Sequence, residues 1–198
     1  MRTFIAVEIS DPLQKRLTAV SDEVVALLAG QKLTRILRWS GAGKHHITLR
    51  FLGETTDVQR QCVGETLANV AAQSAPFALT LGGLGAFPTW PRLRVLWVGV
   101  AGDVQSLQRV QGKIETGVQG CGFAAEGQRF HPHVTLARAN QNADNQTIAQ
   151  AGALLAAQTE LAQSLGQWEV TELVLVRSEL RPEGSVYTPL ERFRLARN

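Results

Sequence analysis

Two tetrapeptides of one form decide the fold of this chain: HITL at residues 46–49, within KHHITLRFLG (44–53), and HVTL at residues 133–136, within FHPHVTLAR (130–138). Each tetrapeptide alternates a polar residue with an apolar one, which is typical of a strand with one buried face. Because residues i and i+2 of a strand share a face, each strand presents an imidazole and a hydroxyl on the same side. The repetition predicts two similar strands that carry the same pair of polar groups.

The surrounding sequence extends this similarity to a strand–helix–strand unit that occurs twice. TFIAVEIS precedes Asp11 and the first motif, and VLWVGVAG precedes Asp103 and the second. Apolar residues at helical spacing follow each aspartate, so a helix is predicted after each, the first ending at Gly30. We predict Asp11 as the N-cap of the first helix and Gln14 as its capping-box partner. A duplicated unit often places its active site between the two copies.

The rest of the chain predicts a mixed α+β fold. Further strands are predicted over residues 36–39, 77–84 and 93–100, and GAFPTWPR (85–92) is predicted as a loop. Helices are predicted over the segment after Thr56 and over residues 143–156. Residues 168–180 and 186–195 are predicted to form a C-terminal hairpin with RPEGS as its turn.

Composition indicates one globular domain, residues 1–198, made of two lobes. The chain has 44% hydrophobic and 19% charged residues and a net charge of +3, which suits an anionic partner but is weaker than a histone-like balance. Cys62 and Cys121 lie in no CxxC spacing, so neither a disulfide framework nor a zinc ribbon is indicated. The apolar N-terminal run is too short for a signal or membrane segment. We therefore expect a cytoplasmic protein that does not contact a membrane.

All four histidines of the chain lie in the two motif regions, which predicts a common site. Histidine can give or take a proton near neutral pH, and a phosphodiester reaction needs one group for each role. The two threonines can donate hydrogen bonds to the nonbridging phosphate oxygens. If the two units face each other across a cleft, the pattern favours acid–base chemistry on a phosphodiester without a metal or other cofactor.

Other interpretations stay open on the residues alone. His131 and His133 with His45 or His46 could bind zinc, although no matching carboxylate accompanies them and Pro132 makes the geometry unfavourable. Each motif could also be a strand with a partly buried histidine, but an arginine, Arg50 or Arg138, follows both copies. The chain could instead be a noncatalytic module that binds RNA in a basic cleft, or a phosphodiesterase whose substrate is a cyclic nucleotide other than RNA. No GxSxG, P-loop or dinucleotide motif occurs.

Beyond these patterns, the two motif regions resemble the paired HxTx motifs of the 2H phosphoesterase superfamily. RTFIAVEIS, FPTWPRLRVLWVGV and YTPLERFRL resemble its RNA 2′,3′-cyclic phosphodiesterase branch, historically called 2′-5′ RNA ligase. The resemblance implies a bilobal fold with two antiparallel sheets related by a pseudo-repeat, helices outside and a central cleft. It also implies hydrolysis of an RNA 2′,3′-cyclic phosphate end to a 2′-phosphate, and 2′-5′ ligation in the reverse direction. We expect a monomer.

The resemblance assigns roles to individual residues, whereas His45 is expected to be a dispensable neighbour on the opposite strand face. The implied roles are His46 as proton donor to the leaving 3′ oxygen, His133 as the general base that activates water, and Thr48 and Thr135 as phosphate ligands. Arg138 is implied as a substrate contact and Phe4 as an aromatic residue beside the nucleobase.

Overall fold

A computed structural model of the chain describes residues 1–181 and 184–196 and has the predicted α+β class. The elements in chain order are β1 (Arg2–Glu8), α1 (Asp11–Gly30), β2 (Leu37–Trp39), β3 (His46–Glu54), α2 (Asp57–Ala72), β4 (Phe77–Phe87), β5 (Val95–Gly102), α3 (Val104–Gly120), β6 (His133–Ala139), α4 (Asn145–Ala156), β7 (Gly166–Val170), β8 (Glu172–Arg181) and β9 (Gly184–Arg194). None of the described helices is long and apolar enough to cross a membrane.

The strands form two antiparallel half-sheets that meet edge to edge. The spatial order is β7-β4-β5-β6-β3-β1-β8-β9, with β2 pairing along β6. The halves join between β6 and β3 through one residue pair, Ile47 with Val134. The order β5-β6-β3-β1 is symmetric about this joint, and the units β1-α1-β3 and β5-α3-β6 match the predicted repeat. The predicted fold class is therefore confirmed, with the detail that the two sheets touch at a single pair.

The two faces of the sheet differ in what covers them. One face packs against all four helices in a single large core, to which Ile47 and Val134 contribute fully buried side chains. The opposite face carries a small apolar cluster, Phe4, Ala6, Val174 and Val176, against which Tyr187 packs. We call this second face the cleft face. Because side chains alternate along a strand, residues that flank Ile47 and Val134 point to the cleft face.

Both motif strands contain a β-bulge at the leucine of the tetrapeptide. In β3, Thr48 pairs with Ala6 and Arg50 with Ile5, so Leu49 is the extra residue. In β6, Thr135 pairs with Trp97 and Ala137 with Leu96, so Leu136 is the extra residue. A bulge changes which face the following side chains take. The repeat therefore extends to a backbone irregularity that the alternation pattern does not reveal.

The start of α1 differs from the prediction by one residue. Ser10, not Asp11, is the N-cap, and no side chain caps this helix end. Gln14, the expected capping partner, instead bonds the His45 peptide. The predicted cap at the start of α2 is present, since Thr56 and Gln59 form a full capping box.

Cys62 and Cys121 form a disulfide, which corrects the interpretation that no disulfide is indicated. Cys62 lies on α2 and Cys121 directly follows α3, and these two helices pack together with the two Cα atoms 5.7 Å apart. The pair is separated by 59 residues, and only the tertiary packing of the two helices brings it together. A spacing rule that searches for CxxC cannot detect such a pair.

Two further boundaries differ from the sequence prediction. β4 continues through Phe87 and a 3₁₀ turn follows at Trp90–Arg92, so GAFPTWPR is only partly a loop. Residues 166–170 form β7, which pairs with β4 at the far edge of the sheet, while β8 and β9 form the predicted hairpin. Residues 182–183 of the predicted RPEGS turn lie outside the described residues.

Candidate active site

The joint between the half-sheets brings the four polar motif residues together on the cleft face. Ile47 faces Val134 in an antiparallel pair. Continuing that register by one residue places His46 level with Thr135 and Thr48 level with His133. All four side chains are half-buried. Each imidazole therefore lies across the joint from the hydroxyl of the other copy.

Both histidines are held by the same backbone contact. His46 Nδ1 lies 2.9 Å from the carbonyl oxygen of Lys44, and His133 Nδ1 lies 2.7 Å from that of His131. A carbonyl oxygen only accepts, so we assign the Nδ1 proton of each ring as the donor. This tautomer leaves each Nε2 as the nitrogen that exchanges a proton with a bound substrate.

Aromatic side chains fix the plane of each imidazole. The His46 ring packs on Phe4 at a centroid distance of 4.8 Å and edge-on to Tyr187 at 5.1 Å. The His133 ring packs edge-on to Phe87 at 5.0 Å and lies 6.2 Å from Trp97. Such packing restricts ring rotation, which supports a defined direction for proton transfer.

Phe4 takes a different position from the one the resemblance implies. Its side chain lies on the cleft face but is only 2% exposed, beneath His46 and Tyr187. A ring so covered has no free face on which a nucleobase could stack. The contact that Phe4 makes is with the His46 imidazole, so its role in this geometry is to position that ring.

The strand next to each histidine breaks the symmetry of the pair. Glu8 of β1 is the cross-strand partner of His46, whereas Gly99 of β5 is the partner of His133. The Glu8 carboxylate is fixed by Arg192, which donates to both of its oxygens at 2.7 and 3.0 Å. The His46 side of the cleft therefore has a carboxylate directly opposite the imidazole, and the His133 side has none there.

Burial and these neighbours set the pKa values of the two histidines. Burial lowers the pKa of His46 below its usual 6.5, while the Lys44 carbonyl and the Glu8 charge act in the opposite direction. Burial also lowers the pKa of His133, and the charges of His131 and Arg138 lower it further, against the raising effect of the His131 carbonyl. Arg138 acts on both rings. These neighbours together favour neutral imidazoles, and Glu8 favours a proton on His46.

The bulges assign different positions to the two arginines that follow the motifs. Arg138 pairs with Val95 after the Leu136 bulge and lies on the cleft face with Thr135. Arg50 points to the helices, where it pairs with Glu115 of α3 and with Glu126. The two arginines are therefore not equivalent. Only Arg138 lies where a substrate phosphate could contact it.

His45 is buried beside the site and binds α1 instead of substrate. Its Nδ1 and backbone nitrogen lie 3.1 and 3.2 Å from Gln14 Oε1, and Gln14 Nε2 donates to its carbonyl oxygen at 2.6 Å. Burial, together with the charge of His46, lowers the pKa of His45 to about 4. The side chain of His45 therefore connects the start of β3 to α1, and its dispensability for catalysis stays a prediction.

The buried position of His45 makes folding pH-dependent. An unfolded His45 binds a proton near pH 6.5 but the folded one only near pH 4, so its stabilising contribution is complete above pH 6.5 and falls between pH 6.5 and 4. The linkage amounts to about 3 kcal/mol. In urea unfolding at pH 7.5 and 4.5, His45→Gln is expected to lose less stability on acidification than the wild type. An exposed control, His131→Gln, should keep the wild-type difference. Equal acid sensitivity of wild type and His45→Gln would contradict this assignment.

The structure gives little support to the zinc interpretation. His131 is exposed and packs edge-on to Phe87 and Trp97, both at 5.3 Å. Among the described residues, no group of three or more histidine, cysteine or acidic side chains is arranged to hold a metal ion.

Several site residues were missed in the sequence. Glu8, Tyr187, Phe87 and Trp97 surround the histidines but belong to strands distant in the chain from the motif they contact. A glycine of β4 is the one feature of the sequence that could have indicated the position of Trp97. A Cβ at Gly85 would clash with the Trp97 ring, so this glycine marks the space that the indole fills.

Comparison with known proteins places the chain in a defined group. Residues 37–182 match the family model of the 2′-5′ RNA ligase superfamily. An RNA 2′,3′-cyclic phosphodiesterase of Aeropyrum pernix is 39% identical over 145 residues, which is 73% of this chain and 78% of that protein. The protein of the same name from Methanothermobacter thermautotrophicus is 26% identical over 98% of this chain and 99% of its own.

Solved structures share the fold over nearly the whole chain. TT0787 of Thermus thermophilus superposes with a TM-score of 0.70 at 28% identity and covers 98% of both chains. LigT of E. coli in complex with 3′-AMP gives the same TM-score at 23% identity, over 99% of this chain and 98% of its own, which is a likeness of fold alone.

Proposed function

This chain belongs to the 2′-5′ RNA ligase superfamily, and from that membership we propose that it hydrolyses the 2′,3′-cyclic phosphate at an RNA end to a 2′-phosphate and a free 3′-hydroxyl. The observation that carries the proposal is the pair of equivalent imidazoles, His46 and His133, on the cleft face at the joint of the two half-sheets. The names of the relatives, RNA 2′,3′-cyclic phosphodiesterase, support the same substrate class.

In this proposal His133 is the base and His46 the acid. His133 Nε2 takes a proton from water as the water oxygen attacks phosphorus, and the bond from phosphorus to the 3′ oxygen breaks. His46 Nε2 gives its proton to that leaving oxygen. The asymmetry of the neighbouring strands supports these roles, since Glu8 faces His46 and Gly99 faces His133. A bound phosphodiester is itself anionic and raises the pKa of both rings relative to the empty cleft.

Thr48, Thr135 and Arg138 stabilise the phosphate in this scheme. Each threonine hydroxyl lies level with the imidazole of the other copy, so the two donors can reach the nonbridging oxygens between the rings. Arg138 lies on the same face and its charge acts on both histidines. Donors fixed before the reaction stabilise the charge that develops on the phosphoryl oxygens.

Ligation uses the same groups with another nucleophile. A 5′-hydroxyl of a second RNA attacks phosphorus in place of water and passes its proton to His133, the bond from phosphorus to the 3′ oxygen breaks, and His46 protonates that oxygen, which leaves a 2′-5′ phosphodiester. We further propose that the chain acts as a monomer, since one chain supplies both imidazoles, and that it acts in the cytoplasm. In that reducing compartment the Cys62–Cys121 pair would be present as two thiols instead of the disulfide seen in the structure.

Turnover of an RNA that ends in a 2′,3′-cyclic phosphate tests the proposed activity, with an RNA bearing a linear 3′-phosphate as the control substrate. The cyclic end should be consumed at the same rate with and without EDTA, and the linear end should be left intact. Activity that EDTA removes and zinc restores would favour the zinc interpretation instead. Salt-sensitive RNA binding without turnover would indicate a noncatalytic binding module.

The pH profile tests the role of Glu8 as the residue that favours a proton on His46. Wild-type kcat/KM should follow a bell in pH, since one imidazole must be protonated and the other neutral. The charged groups around His46 are Glu8 on β1 and Arg138 and His133 on β6, with the Tyr187 phenol on β9. Glu8→Gln removes the carboxylate and should move the alkaline limb of the bell to lower pH.

The control for this experiment is Glu169→Gln, which makes the same change of charge on the far edge strand β7. This variant should keep the pH profile of kcat/KM that the wild type has. A Glu8→Gln profile that overlays the wild type would show that the carboxylate does not act on His46. A monotonic wild-type profile between pH 5 and 9 would exclude the paired acid and base.

A further inference from the structure

Two arginines stand directly opposite each other where β2 pairs with β6. Arg38 and Arg138 are cross-strand partners, and both side chains are exposed on the cleft face. Neither takes part in an ion pair with a carboxylate within residues 1–181 and 184–196. Like charges directly opposite on neighbouring strands are destabilising. An anion bound between the two guanidinium groups would offset that repulsion.

A groove of about 470 Å³ lies beside Arg38. Most of its lining is polar or cationic, with two apolar residues, and consists of Arg35, Ile36, Arg38, Asn140, Gln141, Asn142 and Ala143. Its two walls are joined by backbone and side-chain hydrogen bonds, from Asn140 N to the Ile36 carbonyl at 2.8 Å and from Asn140 Nδ2 to the Arg35 carbonyl. The lining contains no carboxylate, so every charged group that it presents to a ligand is cationic.

The groove is next to the candidate active site, because Arg38 of its lining is the cross-strand partner of Arg138. β2 takes over the edge of β6 where β3 leaves it, so Arg38 lies further along the same edge as Thr48 and His46. Arg138 lies between the two regions, since it acts on both histidines and pairs with Arg38. A chain whose last phosphate lies between the histidines can therefore extend past Arg138 into the groove.

We propose that this groove binds the RNA strand on the 5′ side of the cyclic end, with Arg38 and Arg35 contacting the phosphodiesters next to the reacting one. This inference rests on the proposed function, and it extends the substrate contacts from the terminal nucleotide to the nucleotides that precede it in the RNA. Arginine suits the role because its planar guanidinium can donate two hydrogen bonds to one phosphate. The enzyme then prefers an oligoribonucleotide to a mononucleotide with the same cyclic end.

The preference is measured by comparing kcat/KM for a nucleoside 2′,3′-cyclic phosphate with kcat/KM for a short RNA that ends in the same nucleotide. Arg35→Gln and Arg38→Gln are each expected to lower the oligonucleotide value about tenfold, the loss of one charge-assisted contact, and to lower the mononucleotide value far less. The control Arg109→Gln removes an exposed arginine of α3 and should preserve the ratio.

The salt dependence of RNA binding gives an independent readout. The probe is a 3′-phosphorylated RNA, and its Kd is measured by fluorescence anisotropy. The slope of log Kd against log salt should decrease by about 0.7 for each phosphate contact that a variant loses. Equal losses on both substrates, or an unchanged slope, would overturn the groove assignment. Wild-type protein that binds this probe with the predicted slope but turns over neither substrate would support the groove and refute the proposed hydrolysis.

Discussion

Alanine at His46 or at His133 is expected to lower kcat on a cyclic-phosphate RNA by about 10³-fold or more. General acid or base catalysis by one positioned group contributes about 10²–10⁴-fold, and each ring here is also held by a carbonyl and two aromatic neighbours. The two losses should not add, because proton abstraction and proton donation occur in one displacement. The double variant should therefore be close to the worse single variant. Rates are measured by single-turnover cleavage of a labelled RNA.

The matched control for these variants is His131→Ala. This change also removes an imidazole from FHPHVTL, but the carbonyl oxygen that holds His133 belongs to the backbone and stays. Activity within a few-fold of the wild type is expected. Circular dichroism and a denaturant midpoint for all variants separate lost chemistry from lost folding. A folded His46→Ala or His133→Ala enzyme that keeps a tenth of its activity would contradict the paired acid and base.

Valine at Thr48 or Thr135 is expected to lower kcat by about 10²–10³-fold, the loss seen when one donor to a transition-state oxyanion is removed. Valine keeps the branched shape and removes only the hydroxyl. KM should change much less than kcat, because the donors act most strongly on the charge that develops during attack. The two positions are level with opposite histidines, so the effects should be of similar size.

Serine at the same two positions is the matched control, because it retains the hydroxyl and loses only a methyl group. Thr48→Ser and Thr135→Ser should recover most of the rate that valine loses. If valine leaves kcat unchanged at both positions, the hydroxyls do not contact the reacting phosphate and their role is structural.

The central part of the site follows from the sequence because it depends on local alternation. A strand with a period of two residues forces His46 and Thr48 to one face and Ile47 to the other, and the second copy obeys the same rule. The structure buries Ile47 and Val134 in the core beneath the helices and packs His46 against Phe4 on the cleft face, as that rule predicts. The duplication favoured a site between the two copies, whereas the pairing of the two motif strands at Ile47 and Val134 is known only from the structure.

Features that depend on long-range packing were not predictable. The Leu136 bulge turns Arg138 to the cleft face, and the corresponding bulge leaves Arg50 facing α3, although both arginines follow a motif in the sequence. Gln14 has the spacing of a capping partner, but the buried peptide of His45 offers it a better set of hydrogen bonds. The Cys62–Cys121 pair depends on the packing of two helices. In each case a tertiary contact overrides a local preference.

The position of the phosphate in the product tests the central claim most directly. The wild-type protein, in EDTA, is incubated with a short RNA that ends in a 2′,3′-cyclic phosphate, and the product is analysed by phosphorus NMR. His46 as the donor to the 3′ oxygen predicts a 2′-phosphate with a free 3′-hydroxyl, and no such product from His46→Ala. A 3′-phosphate product would contradict the assignment of the two histidines.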